Sequence, residues 1–345
     1  MPGKIQDSVV VITGASSGIG KATALAFARK GATVVVAARR EEPLQQTARE
    51  CVQLGAQALA VPTDMTNLQA VQQLADRTLE AFGRIDVWVN NQGVTLFAPF
   101  EKSPMEDYRR VIETDLFGTI HGTYVVLPIF QQQRAGTLIN QGSMVFKLSE
   151  PYVSSYVVAK HGIRGLGMSL RQELALNGSK RIHVCTVMPA TIDTPFFQHA
   201  ANYTGRATKA LPPVYSPERV ARTIVSLVRW PRREVFVGNV ARMFWWQYLF
   251  APGLTERLMG IMVDKFHLSQ DKSAPPTSGN LFEPMAEGTS TSGGWRTMSG
   301  RNVAEQRGKG TGTVLGIVGL TSLLLVFFLS KGKRAFSRVF TSKGK

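Results

Sequence analysis

The chain has 345 residues, 44% of them hydrophobic, and its 40 Lys and Arg against 24 Asp and Glu give a net charge of +16. That length suits one α/β domain of about 250 residues with an appendage, or two ordinary domains. No zinc spacing, helix-turn-helix pattern or aromatic RNA motif accompanies the basic balance, which excludes the usual nucleic-acid binders; half of the excess, +8, lies in residues 265–345, around a late apolar run, as a membrane surface would favour.

The apolar run ending in Val11 and Ile12 stops at Thr13 and Gly14, and Gly18 and Gly20 then lead into Lys21 to Arg29, which has helical spacing. Strand, tight turn and helix in that order form a ready anion site, because glycines let the backbone come close and the new helix points free N–H groups at the turn. Further short β-branched runs follow at 32–40, 57–64, 86–93, 136–142, 182–188 and 234–238, with helical stretches between them. The pattern predicts a doubly wound, Rossmann-type α/β domain over residues 1–265, with seven parallel strands and helices on both faces. Cys51 and Cys185 form no disulfide framework and suit a reducing compartment. No apolar signal region opens the chain, so the domain is expected on the cytoplasmic side.

In such sheets a ligand sits beyond the carboxyl ends of the strands, and the notable polar residues fall at those ends. Ser143 follows the fifth strand, with Tyr156 and Lys160 four residues apart on the next helix and so on one face. That set suits carbonyl reduction, in which the substrate oxygen becomes an alkoxide and takes a proton from the phenol. The phenol's ordinary pKa near 10 would need to fall about three units, roughly 4 kcal/mol, to work well in reverse, and the Lys160 ammonium is expected to supply much of this. Ser143 would hydrogen-bond the same oxygen.

The Thr13 to Gly20 loop, Asn90-Asn91-Gln92-Gly93 and the Ser143, Tyr156 and Lys160 set, in that order, resemble the short-chain dehydrogenase/reductase family over roughly residues 5–240. The resemblance implies a nicotinamide dinucleotide held by Gly14, Ser16, Ser17, Gly18, Ile19 and Gly20, with Asp64 at the adenine, Asn91 beside the cofactor, Tyr156 and Lys160 at the reacting end, and Thr194 on the carboxamide. An NAD-preferring relative would carry Asp where this chain has Ala38. Arg39, one residue on, would attract a 2′-phosphate by about 1.5–3 kcal/mol, so NADP(H) is the expected cofactor. Gln92 replaces a small residue and is expected to point toward the cofactor or displace something. Asp115 replaces the Asn that the family often adds to the catalytic set, keeping an acceptor but losing the amide donor. His121 and His199 lie in no motif and read as packed or solvated side chains.

Beyond the domain, residues 266–311 turn to Ser, Thr, Gly and Pro and read as a flexible linker. Residues 312–330, with no charge from Thr313 to Leu329, read as a transmembrane or membrane-inserted helix, and 331–345 as a basic tail. The whole predicts a single-pass, C-terminally anchored oxidoreductase acting on a lipophilic carbonyl or alcohol. The family resemblance adds homo-oligomers paired through two helices. A non-catalytic dinucleotide-binding sensor at the membrane is the competing class.

Overall fold

β-Branched residues alternate along the first strand so that Val10 and Ile12 face one helical layer, with Phe27 and Leu44, while Val9 and Val11 face the other, with Leu74 and Val126. A strand buried on both faces belongs in the middle of a parallel sheet, and a computed structural model, which describes residues 5–297, has it there.

Seven parallel strands, β1 (Val9–Thr13), β2 (Thr33–Ala38), β3 (Ala58–Pro62), β4 (Val87–Asn90), β5 (Gly136–Gln141), β6 (Ile182–Pro189) and β7 (Glu234–Val237), lie in the order 7-6-5-4-1-2-3. All seven predicted strands are in this sheet. Helices α1 (Gly18–Ala28), α2 (Glu41–Gln53) and, later in the chain, α7 (Pro217–Arg229) cover one face. On the other face lie α3 (Leu68–Phe82), α5 (Gly118–Gln133) and α6 (Ser154–Leu176). A short α4 (Met105–Ile112) runs into α5 through a π-helical turn, Glu113–Phe117. The chain leaves β1 and β4 toward opposite edges of the sheet, so a crevice opens beyond their carboxyl ends.

After β7 come α8 (Asn239–Phe250) and α9 (Pro252–Met262). Phe244 and Met259 are buried, whereas Trp246, Leu249, Phe250, Leu254 and Ile261 are exposed. The next strand, β8 (Leu268–Ser273), pairs antiparallel with residues 206–208.

The expected linker is corrected over its described part. Residues 274–296 are bonded to the domain, and Leu281 is fully buried. The reason is that they dock by main-chain carbonyls and turns, which a Ser-, Thr-, Gly- and Pro-rich composition supplies as well as a helix would. Residues 298–311, the apolar run 312–330 and the tail 331–345 lie outside the described residues. Among the described residues no helix is long and apolar enough to cross a membrane.

His267, after α9, is buried edge-on to the rings of Phe97 and Phe197, at 4.9 and 5.0 Å between centroids. Burial pushes its pKa down from 6.5 to about 4. The unfolded chain therefore takes the proton first, and stability falls as pH drops through that window, by about 1.4 kcal/mol per unit. Urea titrations from pH 7 to pH 4 should show this slope, and His267→Phe should flatten it.

Candidate active site

The crevice is built on a close approach between two turns. Gly14 and Gly18 have φ of +61° and +54°, where L side chains are strained. A Cβ on Gly14 would lie 2.9 Å from the Gln92 Cα, and one on Gly20 would run into the Gly14 carbonyl. The β1 turn can therefore sit on the β4 turn only as glycine. Asn91 fastens the two, its Nδ2 donating to the carbonyls of Thr13 (3.0 Å) and Gly14 (3.2 Å). Asn91 thus braces the loop.

Gln92 corrects an expectation. Its side chain points into the protein, accepting from Thr13 Oγ1 at 2.5 Å and donating to Thr119 Oγ1 at 3.2 Å, because threonines on both sides offer a buried amide the partners it requires. Asn90 is buried too and donates to Asn140 Oδ1 at 2.9 Å, tying β4 to β5.

A cavity of about 270 Å³ lies over these turns, lined by Gly14, Ser16, Ser17, Gly18 and Ile19, by Arg39 and Asp64 at the far ends of β2 and β3, and by Ser143, Tyr156, Lys160 and Thr194 at the other end. The elongated groove, with its glycine cradle at a helix start and cations at one end, fits a dinucleotide. Asp64 accepts from the Thr66 N–H and hydroxyl at 2.9 and 2.8 Å and lies 3.4 Å from Arg110. Against burial, these groups and Arg39 hold its carboxyl below the usual range. The α3 cap is Asn67, which accepts from the Ala70 N–H.

Arg39 and Arg40 lie side by side over the groove. Among the described residues neither makes an ion pair with a carboxylate; main-chain carbonyls of residues 280–288 accept from both. Arg40 also donates to the hydroxyls of Ser16 and Ser17 in the glycine loop. Arg40 lines the cavity alongside Arg39, a placement for which its position next to Arg39 is the signal in the sequence.

At the other end, Lys160 is 2% exposed and Asp115 fully buried, with Nζ 2.9 Å from Asp115 Oδ2 and donating to the Gln141 carbonyl at 3.3 Å. The π-helical turn sets Asp115 here, its Oδ1 accepting from the Val94 N–H at 2.8 Å and its main-chain carbonyl from Thr119 Oγ1 at 2.7 Å. Lys160 Nζ lies 5.1 Å from the centre of the Tyr156 ring, and Ser143 is the phenol's hydrogen-bonding neighbour. Burial would lower the Lys160 pKa, but Asp115 and the phenol outweigh it and hold the ammonium above the ordinary lysine value.

The phenol itself departs from the sequence expectation. Burial above all, with smaller contributions from Asp115 and Glu150, holds the Tyr156 pKa above the ordinary tyrosine value despite Lys160 and Ser143. Glu150 also lines the cavity and is pushed up to about 7 by burial, a feature the sequence alone did not suggest. Thr194 is buried against Gly18, which a Cβ would bring to 3.3 Å. The two histidines are bonded to carbonyls, His121 to Met65 and His199 to Glu287.

The profile of the short chain dehydrogenases matches residues 8–203. The chain belongs to that family. An uncharacterised oxidoreductase of Bacillus subtilis, YxnA, is 33% identical over 282 residues, covering 81% of this chain and 79% of its own. The 3-oxoacyl-acyl-carrier-protein reductase FabG of Thermotoga maritima is 33% identical over 65% of this chain and 91% of its own. Among solved structures, a short chain dehydrogenase/reductase from Burkholderia phymatum in complex with NAD superposes with a TM-score of 0.64 at 26% identity, over 71% of this chain and 95% of its own. An alcohol dehydrogenase from Thermococcus sibiricus complexed with 5-hydroxy-NADP gives 0.59 at 26%, over 67% and 96%. As a short-chain dehydrogenase this protein is an oxidoreductase of CH–OH groups that uses a nicotinamide dinucleotide.

Asp115→Ala should cost about 3–5 kcal/mol in a denaturant titration, since it leaves the Lys160 ammonium buried without a carboxylate. Asp115→Asn keeps the acceptor for Val94 and should cost less. Equal losses would mean that the charge, which both variants remove, and not the packing that Asn keeps, is what Asp115 supplies.

Proposed function

We propose that the protein is a membrane-anchored, NADP(H)-dependent reductase of a lipophilic carbonyl, with Tyr156 as the acid. The observation that carries this reading is the placement of the phenol: Tyr156 lines the cavity together with Ser143 and Lys160, and the Lys160 ammonium lies 5.1 Å from the centre of its ring. The bound dinucleotide supplies the hydride. Ser143 holds the substrate oxygen, Tyr156 gives it the proton, and Lys160, kept charged by Asp115, stabilises the phenolate left behind.

Two adjacent guanidiniums that make no ion pair with a carboxylate among the described residues support NADP(H) over NAD(H), since a 2′-phosphate would bring them one. The rings of Phe196 and Phe197 continue outward from Tyr156, at 5.7 and then 5.5 Å between centroids, and support a lipophilic substrate. The exposed aromatic and aliphatic face of α8 and α9, followed in sequence by the uncharged run 313–329 with Lys and Arg on either side, supports a bilayer as partner. The catalytic domain then lies on the cytoplasmic side, where NADPH is held. Exposed Tyr124 on α5 and Val158 and Met168 on α6 support pairing of two copies through these helices.

Tyr156→Phe should lower kcat about 10²- to 10⁴-fold toward a panel of long-chain ketones while dinucleotide affinity changes little. Retained turnover would remove Tyr156 from the chemistry, and wild-type protein that binds dinucleotide tightly but reduces nothing would favour a sensor. In the same titration NADPH should bind at least about tenfold tighter than NADH. Removing residues 312–345 should move the protein from the membrane pellet to the soluble fraction. If it stays in the pellet, the anchor lies elsewhere.

A further inference from the structure

The segment after β8 does more than return to the domain. It crosses the groove along its length and bonds to both rims. On the adenosine side, Arg39 donates to the carbonyls of Asn280 (2.6 Å), Leu281 (3.1 Å) and Phe282 (2.7 Å), and Arg40 to those of Met285 (3.0 Å) and Glu287 (2.8 Å). At the middle, the N–H of Gly18, which opens α1, donates to the Ser290 carbonyl at 3.0 Å. On the nicotinamide side, the carboxylate of Asp193 accepts from Ser292 Oγ (2.7 Å) and the Trp295 N–H (2.8 Å), and Trp295 Nε1 donates to the Thr194 carbonyl at 3.0 Å.

Each donor in the first two groups is of a kind that takes phosphate oxygen: two guanidiniums and the first N–H of a helix at a glycine turn. One run of eleven residues, 280–290, meets all of them with neutral carbonyls. Its contacts are close enough to leave no slack, since a methyl on Gly288 would run into His199 and one on Gly293 into the Thr194 carbonyl.

We propose that residues 280–295 form a strap that is the third wall of the dinucleotide site, orienting Arg39 and Arg40, and that it must release its hold on Gly18 and Thr194 for a dinucleotide to enter or leave. Binding then proceeds through the fraction of molecules with the strap open, and observed rates scale with that fraction. The inference rests on the family's dinucleotide site and not on the preference for NADP(H).

The test uses full-length protein. Trp295→Phe keeps the ring and removes the bond to Thr194, and Ser292→Ala removes one bond to Asp193. Each lost bond should raise the open fraction roughly fivefold, and the two together roughly twentyfold. Gly293→Ala forces the strap off Thr194 by steric conflict. Stopped-flow mixing with NADPH and with NADH, read by nicotinamide fluorescence, and displacement by excess oxidised dinucleotide give the two rates. Hydrogen exchange at residues 288–295 in the same preparations shows whether the strap has loosened. Association and dissociation should both accelerate in the variants. Faster exchange in the strap with unchanged dinucleotide rates overturns the proposal, as does a Gly293→Ala protein with wild-type rates. If NADH outcompetes NADPH, the phosphate argument for Arg39 and Arg40 falls, while the strap is still judged by the rates.

Discussion

Everything at the carboxyl edge of the sheet depends on how closely the β1 turn can lie on the β4 turn. The constraint is steric. With no Cβ allowed at Gly14 or Gly20, the backbone of one turn packs directly on the backbone of the next, and the Asn91 amide can bond to two carbonyls at once. That contact sets where α1 begins and therefore where its free N–H groups point. It also closes the crevice between β1 and β4 to a width suited to a dinucleotide backbone. Ser143, Tyr156 and Lys160 come from the end of β5 and from α6 on the other side, and strand pairing through Asn90 and Asn140 ties β5 to β4.

The second constraint is electrostatic. A lysine that is 2% exposed beside a fully buried aspartate is a coupled unit, in which each charge is tolerable only because of the other. With Asn in place of Asp115, the ammonium's field would fall mainly on the phenol. Here it is divided between the phenol and the Asp115 carboxylate, which a π-helical turn aims at the lysine.

The sheet was legible in the sequence because β-branched runs of five or six residues, separated by helical stretches, have few other ways to be buried. The set Ser143, Tyr156 and Lys160 was legible because its side chains declare by identity and spacing the chemistry they offer, and all three line the same cavity. What escaped was whatever acts through the main chain. Residues 280–295 look like a linker because their composition offers no apolar period, yet it is carbonyl oxygens, present in every residue, that bind Arg39 and Arg40. Gln92 was misread for a related reason. An amide is a matched partner for threonines only once the fold has brought Thr13 and Thr119 to its two sides, and nothing local announces that. The raised pKa of Tyr156 needed three-dimensional placement of Asp115 and Glu150 as well as of Lys160.

The chemistry of the strap also explains how a wall can be both well bonded and removable. Carbonyl dipoles satisfy the N–H groups of Arg39 and Arg40 but cancel neither charge, so two adjacent cations keep repelling each other beneath it. A carbonyl oxygen offers a guanidinium only its dipole, whereas a phosphate oxygen brings the opposite charge as well and can bond in a fork. An anion that reaches those guanidiniums therefore displaces carbonyls at a net gain, and each displaced bond weakens the hold on the next. The Asp193 end does not share this weakness, because there the strap donates to a carboxylate and the charge-assisted bonds run the other way. The bonds beside Asp193 and Thr194 therefore set how seldom the strap opens, while the carbonyls over Arg39 and Arg40 yield once an anion has reached them.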